Sequence, residues 1–414
     1  LVMISVIGLS HLGLSTLVSL ASKGYNVIGF DTREDLINNI KKLNLQIKEP
    51  GLLKSLKKYS NRIKFTCKIS DIKKTKVTFI SIDVPTNKKN LGKYKIVLNL
   101  INLAKKNLGK NSILVIMSQI PPGFMRKIDF PKERLFYQVE TLIFGDSLKR
   151  ASKPERIIIG TSDEKIKISR HYFSIIKKFK CPIIKTSYES AELTKISINM
   201  FLSSSVTLTN KLAEVSRKIG ANWDQISASL KLDKRIGKFA YLQPGLGLSG
   251  GNLERDISTI IRLCNKNKIN SSIFKNFFFE SKNKKNWINE NLKKIINIQN
   301  SKITILGVTY KKNTNSIKNS PFFNVIKKLN KKNTTAFDPF FKNNTYISNV
   351  KISNKYDKNL RESNIIIILT PHKEFKKINF DKIKFKNKKI FILDPYGFLK
   401  NKKMNKKIKY FSLS

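Results

Sequence analysis

Residues 3–31 read MISVIGLSHLGLSTLVSLASKGYNVIGFD, and the reading of this stretch decides the fold. Met3 to Gly8 is an apolar, β-branched run of the kind that forms a buried strand. The turn Gly8-Leu9-Ser10-His11-Leu12-Gly13 follows at once, Leu14 to Lys23 has a helical pattern, and "YNVIGFD" returns as a second strand ending on Asp31. This βαβ unit has the length expected for dinucleotide binding. The first glycine permits the tight turn, and the last lets helix and strand pack closely. The helix N-terminus then faces a pyrophosphate, and an acid roughly 20 residues on accepts the ribose hydroxyls. Gly8, Ser10, Leu12, Gly13 and Asp31 are therefore candidate cofactor-binding residues. Ser10 stands where the pattern has its middle glycine, at the closest approach of phosphate to backbone, so weakened rather than lost binding is expected. Glycine-rich turns also serve ordinary α/β packing; here the strand before, the helix after and the acid all sit in place.

Outward from this unit, "KVTFISIDVP", "SILVIMSQIPP", "RIIIGTS" and "CPIIKTS" read as further strands, so the first 185 residues or so form a doubly wound sheet. From Glu189 to about Gly220 the pattern is helical over many turns without proline or internal glycine, which suits a central helix joining two lobes or a dimer seam. Lys195 and Asn199, four apart, share one face of it. An asparagine inside a helix is mildly unfavourable and invites a reason. A Lys- and Asn-rich stretch around residues 280–300 reads as a linker. A second α/β pattern follows, with "SKITILGVTYKKNT", "TTAFDP", "NIIIILTP" and "KIFILDP" as strands of a parallel sheet. Their polar ends lie where open sheets collect ligands. The expected class is α/β, with two Rossmann-like doubly wound domains joined by a long central helix and a helical dimerisation domain.

Composition narrows the function classes. The chain has 414 residues, with 81 Lys+Arg against 28 Asp+Glu for a formal charge of +53, yet 40% of it is hydrophobic and can bury a core. Lysine is spread along the whole chain and travels with Asn and Ile, a compositional drift that puts charge on solvated faces. Zinc-finger spacing, an aromatic RNP-like strand and a basic heptad region are all missing, which sets nucleic-acid binding aside. A positive field still favours an anionic small substrate. Cys67, Cys181 and Cys264 are too few and too scattered for a disulfide framework or a zinc spacing, and fit a reducing cytoplasm. Three histidines with no carboxylate–His spacing give no metal site. No run reaches the roughly 18 apolar residues of a membrane helix. The apolar opening lacks the basic start of a signal peptide and continues as strand, turn and helix.

The order and spacing of "VIGLSHLGL", "KEPGL", "SIDVPT", "SQIPPG", "PERIIIG", "SAELTKISINMF", "LDKRIG", "LQPGLGLSGGNLERD", "GVTYKKNTNSIKNSP" and "FDP" resemble the UDP-glucose/GDP-mannose dehydrogenase family almost end to end. The resemblance implies an NAD-binding domain over residues 1–187, a central helical dimerisation domain over 188–298 and a UDP-binding domain over 299–414. It implies NAD as cofactor, a nucleotide-sugar substrate, a homodimer and a cytoplasmic place in polysaccharide or cell-surface sugar biosynthesis. Residue by residue, Lys195 and Asn199 match the catalytic pair that holds the attacking water and oxyanion, and Asp256 matches the active-site Asp. Tyr241, Leu242, Gln243, Pro244 and Gly245 match the loop that wraps the substrate, followed by Ser249. Arg235 matches the arginine that reaches into the partner's site, and Lys311 a nucleotide-sugar contact. Arg255 and Lys318 match basic cofactor contacts, with Lys318 replacing the family's usual arginine and losing its fork.

Departures from the family cluster on one half-reaction. The family oxidises alcohol to aldehyde and then aldehyde to acid through a cysteine thioester, but here the cysteine position is Asn252. An amide nitrogen, its lone pair delocalised, cannot form the thiohemiacetal that a thiolate forms. Gln119 replaces a threonine, and Glu140 keeps the first acid of a Glu pair whose second member is replaced by Phe144. Asn252 reads either as a helix N-cap alone or as a cap that also meets the substrate. Cys264, two helical turns beyond Asp256 and about 12 Å away, does not substitute. The expectation is an NAD-dependent oxidoreductase acting on a CH–OH group of a nucleotide sugar, in which oxidation stops after two electrons or reaches the acid only slowly through a hydrated aldehyde. The alternative is a homologue that binds both nucleotides without turnover.

Overall fold

The computed structural model describes residues 3–87, 90–295, 300–353 and 355–413. The chain divides into two compact units, residues 1–198 and 199–414.

The first unit is built on strands β1 (Ile4–Ile7), β2 (Val27–Phe30), β3 (Ile63–Thr66), β4 (Val77–Ile80), β5 (Ile113–Ile116), β6 (Leu135–Gln138), β7 (Ile157–Thr161) and β8 (Ile183–Ser187). Their order is β3-β2-β1-β4-β5-β6-β7-β8. Neighbours run parallel except β6 and β7, which pair antiparallel. The chain winds outward from β1 to β3, then returns to lay β4 on the other side of β1, so the winding reverses between β1 and β4. Every residue of β1, β2, β4 and β5 is buried, which is why these strands read as unbroken apolar runs instead of alternating ones. Leu14, Leu17 and Val18 of the His11–Ser22 helix pack with Ile4 and Val6, while Val97, Leu100 and Ile101 of the Lys95–Asn107 helix pack with Ile7 and Ile80. The first helix begins at His11, three residues before its apolar periodicity, because Leu14 N–H already bonds Ser10 O at 2.9 Å inside the glycine turn.

The second unit carries β9 (Ile303–Leu306), β10 (Thr334–Phe337), β11 (Thr345–Ile347), β12 (Val350–Ser353), β13 (Ile365–Ile368), β14 (Ile390–Asp394) and β15 (Ile408–Ser412), in the order β11-β12-β10-β9-β13-β14-β15. Only β11, a short edge strand, is antiparallel to its neighbour. The β1 turn recurs here. Gly8 (φ +88°) donates its N–H to Phe30 O at 2.9 Å, and Gly307 (φ +94°) donates to Phe337 O at 2.7 Å. An acid at the end of the neighbouring strand then receives the next backbone N–H: Leu9 to Asp31 Oδ2 at 2.8 Å, and Val308 to Asp338 Oδ2 at 2.8 Å. The two copies diverge after the turn. A helix starts within three residues of Gly8, whereas Gly307 leads into a loop, with the next helix at Pro321–Ile326.

A 31-residue helix, Tyr188–Lys218, crosses the division between the units. The expected linker around 280–300 is instead mostly helix, Ser272–Leu292. Its buried positions Phe277, Ser281, Lys284, Ile288 and Leu292 follow a helical stripe that the Lys- and Asn-rich exposed face disguised. Lys284 is tolerated in that stripe because its Nζ meets Glu214 at 2.5 Å. The expected boundary at 298/299 lies outside the described residues.

A Cβ on Gly307 would sit 2.4 Å from Thr370 Cβ, on a backbone that L side chains rarely adopt. Gly307→Ala is therefore expected to destabilise the protein by about 2–4 kcal/mol, from left-handed strain plus overpacking, in urea unfolding. An unchanged midpoint would show that the turn relaxes freely.

Candidate active site

The glycine turn after β1 has the shape of a phosphate seat. A Cβ on Gly8 would lie 2.8 Å from Ile82 Cβ, and one on Gly13 would lie 1.7 Å from Gly8 O, so both positions admit only glycine at this spacing. Ser10 points its hydroxyl sideways to accept Asp83 N–H at 2.8 Å. The Asp83 carboxylate in turn accepts Leu12 N–H at 3.1 Å, placing an anionic group on a first-turn donor where a phosphate is favoured. Ser81 Oγ, two residues before Asp83, is buried without a hydrogen-bond partner. His11 is packed inside the structure. Its ring stacks on Phe144 at 4.0 Å, and its Nε2 meets Glu49 at 2.8 Å. Glu49 also takes the N–H groups of Gly145 and Ser147, so it clamps the Phe144 turn against the glycine turn. Burial works to raise the Asp31 carboxyl, but hydrogen bonds from Arg33 and from the N–H groups of Leu9 and Arg33 outweigh it and hold it below its usual range. The shaped turn, the helix start and the strand-end acid together fit a dinucleotide.

The long helix supplies the second group. Lys195 Nζ lies 3.2 Å from Glu140 Oε2, both side chains being largely buried. Glu140 is oriented by accepting the N–H of Leu142. One turn along, Asn199 donates from Nδ2 to Asp256 Oδ2, and Asp256 Oδ1 takes Arg255 Nε at 3.3 Å. Asn199, Asp256 and Arg255 are all buried, so the polar side chain that seemed out of place in a helix has a carboxylate partner. Glu192, one turn before Lys195, accepts N–H groups from Gly123 at 2.6 Å and Met125 at 2.8 Å, tying the segment after β5 to the helix. Gln119 is buried in that same segment. Burial pushes the Glu192 carboxyl up to about 7 despite those donors.

Asn252 is not a cap. The Asn252–Lys266 helix starts with Asn252 inside it, and Gly251 O accepts Arg255 N–H at 3.2 Å. The cap position, half outside the helix, falls to Gly251, which leaves the Asn252 side chain exposed one turn before Asp256. Lys318 passes over the same turn, its Nζ 2.9 Å from where a Gly251 Cβ would be. Burial, then the Arg255 guanidinium, lower the Lys318 ammonium from the usual lysine range.

The Tyr241–Gly245 loop is pinned from several sides. Tyr241 O accepts Thr209 Oγ1 at 3.0 Å, Leu242 O accepts Trp223 Nε1 at 2.9 Å, and Gly245 N–H meets Asn210 Oδ1 at 2.8 Å. Pro244 is buried and Ser249 half-buried. Gln243 Nε2 donates to Tyr396 O at 3.0 Å and lines a cavity of about 490 Å³ shared with Lys312, Lys376, Tyr396, Phe398 and Lys400. Lys311 stands beside Lys312, its Nζ 5.6 Å from the Tyr310 ring centroid. Arg235 is exposed and forks Asp233. Sequence reading missed Arg33, Asp83, Glu49, Glu192 and the cavity lysines. Glu49, Asp83, Glu192 and Lys312 lie inside motifs that carry the family resemblance and were open to recognition; Arg33 and the other cavity lysines gave no local signal. Among the described residues no cluster of His, Cys, Asp or Glu could hold a metal ion, and no helix is long and apolar enough to cross a membrane.

Sequence models of the UDP-glucose/GDP-mannose dehydrogenase family match three successive segments: the NAD binding domain over residues 2–179, the central domain over 189–279 and the UDP binding domain over 304–401. The chain is 30% identical to a UDP-N-acetyl-D-mannosamine dehydrogenase of Methanococcus vannielii over 427 residues, covering 98% of this chain and 96% of that one. It is 28% identical to a UDP-glucose 6-dehydrogenase of Rickettsia typhi over 421 residues, 97% of each. Among solved structures, a UDP-glucose dehydrogenase of Pyrobaculum islandicum shares the fold at a TM-score of 0.84 and 20% identity, covering 100% of this chain and 98% of that one.

The Glu192 carboxyl has a raised pKa in the folded state, so its contribution is fully present below the unfolded value near 4.5 and is lost as pH rises through about 7. Stability is expected to fall by on the order of 2–3 kcal/mol across that window. In Glu192→Gln that part of the slope disappears in denaturant titrations at pH 5 and 8; an unchanged slope would assign it to other groups.

Proposed function

The chain belongs to the UDP-glucose/GDP-mannose dehydrogenase family and is an NAD-dependent nucleotide-sugar oxidoreductase, and we propose that it withdraws two electrons from a CH–OH carbon of a UDP-hexose and stops at the carbonyl. The observation that carries this reading is Asn252 at the turn before Asp256, with Phe144 stacked on His11 where the family has its second acid. In this reading Gly8, Ser10, Leu12, Gly13, Asp31, Gln119, Arg255 and Lys318 serve the cofactor. The chemistry that bound NAD supplies is acceptance of a hydride. Lys195, held by Glu140, donates to the alcohol oxygen and steadies the negative charge that grows on it. Asn199 keeps Asp256 in place as the carboxylate that receives the alcohol proton, directly or through one water. Loss of that proton and of one hydride leaves a carbonyl, and no thiolate is present at residue 252 to capture it.

We assign the nucleotide part of the substrate to residues 299–414 with the Tyr241–Gly245 loop, Ser249 and Lys311. A cavity of about 490 Å³ lined by Lys312, Lys376, Lys400 and Lys402, of which Lys400 is paired with Asp224, keeps a net positive lining that suits a diphosphate-bearing ligand. Residues 188–298 form the central part in this reading, with a second copy as partner. Phe201, Leu208, Leu212, Val215 and Ile219 are exposed at spacings of seven, four, three and four along the long helix and its end, a seam that a second copy would cover. Arg235, exposed and forked on Asp233, would reach the partner's site by exchanging that carboxylate. Three free cysteines and the NAD requirement fit the cytoplasm, which cell fractionation checks.

Counting NADH formed per sugar with UDP-glucose, UDP-N-acetylhexosamines and GDP-mannose tests the central claim. One NADH per sugar and an aldehyde trappable by a hydrazine are expected; two at an undiminished rate would refute it. Asn252→Cys is expected to accumulate a hydroxylamine-sensitive sugar–protein adduct, since Phe144 offers no carboxylate for hydrolysis. For the dimer, Phe201→Glu is expected to halve the mass seen in sedimentation; a wild-type monomer would contradict that assignment.

A further inference from the structure

The acceptor capacity of Asp31 is fully used. A carboxylate offers about four acceptor positions on its two oxygens. Here Oδ2 takes Leu9 N–H at 2.8 Å and Arg33 Nη2 at 3.0 Å, while Oδ1 takes the Arg33 backbone N–H at 3.1 Å and Arg33 Nε at 2.9 Å. Three of those four donors belong to one residue. The Asp31 side chain is 4% exposed, whereas that of Arg33 is 54% exposed.

In a dinucleotide-binding unit the acid at the end of the second strand receives the adenosine ribose hydroxyl, and a nearby arginine accommodates a 2′-phosphate instead. This chain carries both groups two residues apart, locked to each other. A ribose hydroxyl reaches Asp31 only once Arg33 has released one oxygen. The released guanidinium is already half in solvent, and its planar fork matches phosphate oxygens. A lone buried Asp31 would repel a 2′-phosphate; with Arg33 beside it the charge is balanced.

We propose that Arg33 selects the coenzyme: it competes with the ribose for Asp31 and offers its fork to a 2′-phosphate, so that this chain binds NADP(H) as well as NAD(H). The proposal rests on the reading of the first unit as the coenzyme domain. It differs from the family expectation in assigning to Asp31 a side-chain partner that NAD must displace.

Fluorescence titration of the full chain with NADH and with NADPH, without sugar, tests it independently of turnover. The two dissociation constants of the wild type are expected within about tenfold of each other, because a charge-assisted phosphate contact offsets the acid. Arg33→Ala is expected to tighten NADH and to weaken NADPH by about tenfold or more. Arg33→Lys keeps the charge without the fork and is expected to fall between the two. An NADPH-to-NADH affinity ratio unchanged in both variants, or a wild type that binds NADH while excluding NADPH, overturns the role of Arg33 and leaves the coenzyme domain standing. Binding of neither coenzyme by the wild type overturns that domain reading and this proposal with it.

Discussion

A backbone N–H donated to a buried carboxylate just after a left-handed glycine is the contact on which both halves of this protein depend. It joins the end of the first strand to the end of its neighbour, through Asp31 in one unit and Asp338 in the other. Each carboxylate is buried and must be filled with donors, and each finds a different side-chain partner: Arg33 in the first unit, His372 at 3.2 Å in the second. One turn geometry has thus been kept twice while its surroundings diverged. Where a helix comes directly after the turn, its N-terminus favours an anionic group such as a pyrophosphate. Where a loop takes its place, that donor set is missing and lysines bring the positive charge instead.

The long helix solves a second problem, the burial of ionisable groups. Glu192, Lys195 and Asn199 lie along one face within two turns, and each has a partner from another segment: the backbone after β5, Glu140, and Asp256. Removing one member of such a set leaves a charge or amide stranded in low dielectric, which costs more than the contact itself contributes. Reactive groups held this way keep their positions without a ligand, and preorganised donors are what a developing oxyanion requires.

Against that retained machinery, the altered positions gain a physical meaning. Phe144 is not a bare loss of an acid, because its ring is stacked on His11 and its turn is clamped by Glu49. Asn252 is itself exposed at the start of its helix, with no capping role to account for it. Lys195 is held by Glu140 and Asn199 by Asp256, so these two pairings are built into the fold, while residue 252 carries an amide and residue 144 an aromatic ring.

The sequence alone determined the elements whose signals are local. The glycine turn and Asp31, the apolar strands β1, β4, β5, β9 and β13, and the unbroken helix carrying Lys195 and Asn199 were all legible, because unbroken apolar runs, glycine spacing and helical period are written in adjacent residues. The strands β3, β6, β11, β12 and β15 were not read from the sequence, and the Ser272–Leu292 helix was hidden by the lysines of its solvent face. Tertiary structure decided what depends on distant partners: that Glu140 meets Lys195, that Asn199 meets Asp256, that Glu192 holds the Gly123 turn, and that Gly251 rather than Asn252 ends the turn before its helix. A buried polar group must be satisfied, but nothing in its neighbours along the chain says by whom; only folding brings the donor to the acceptor.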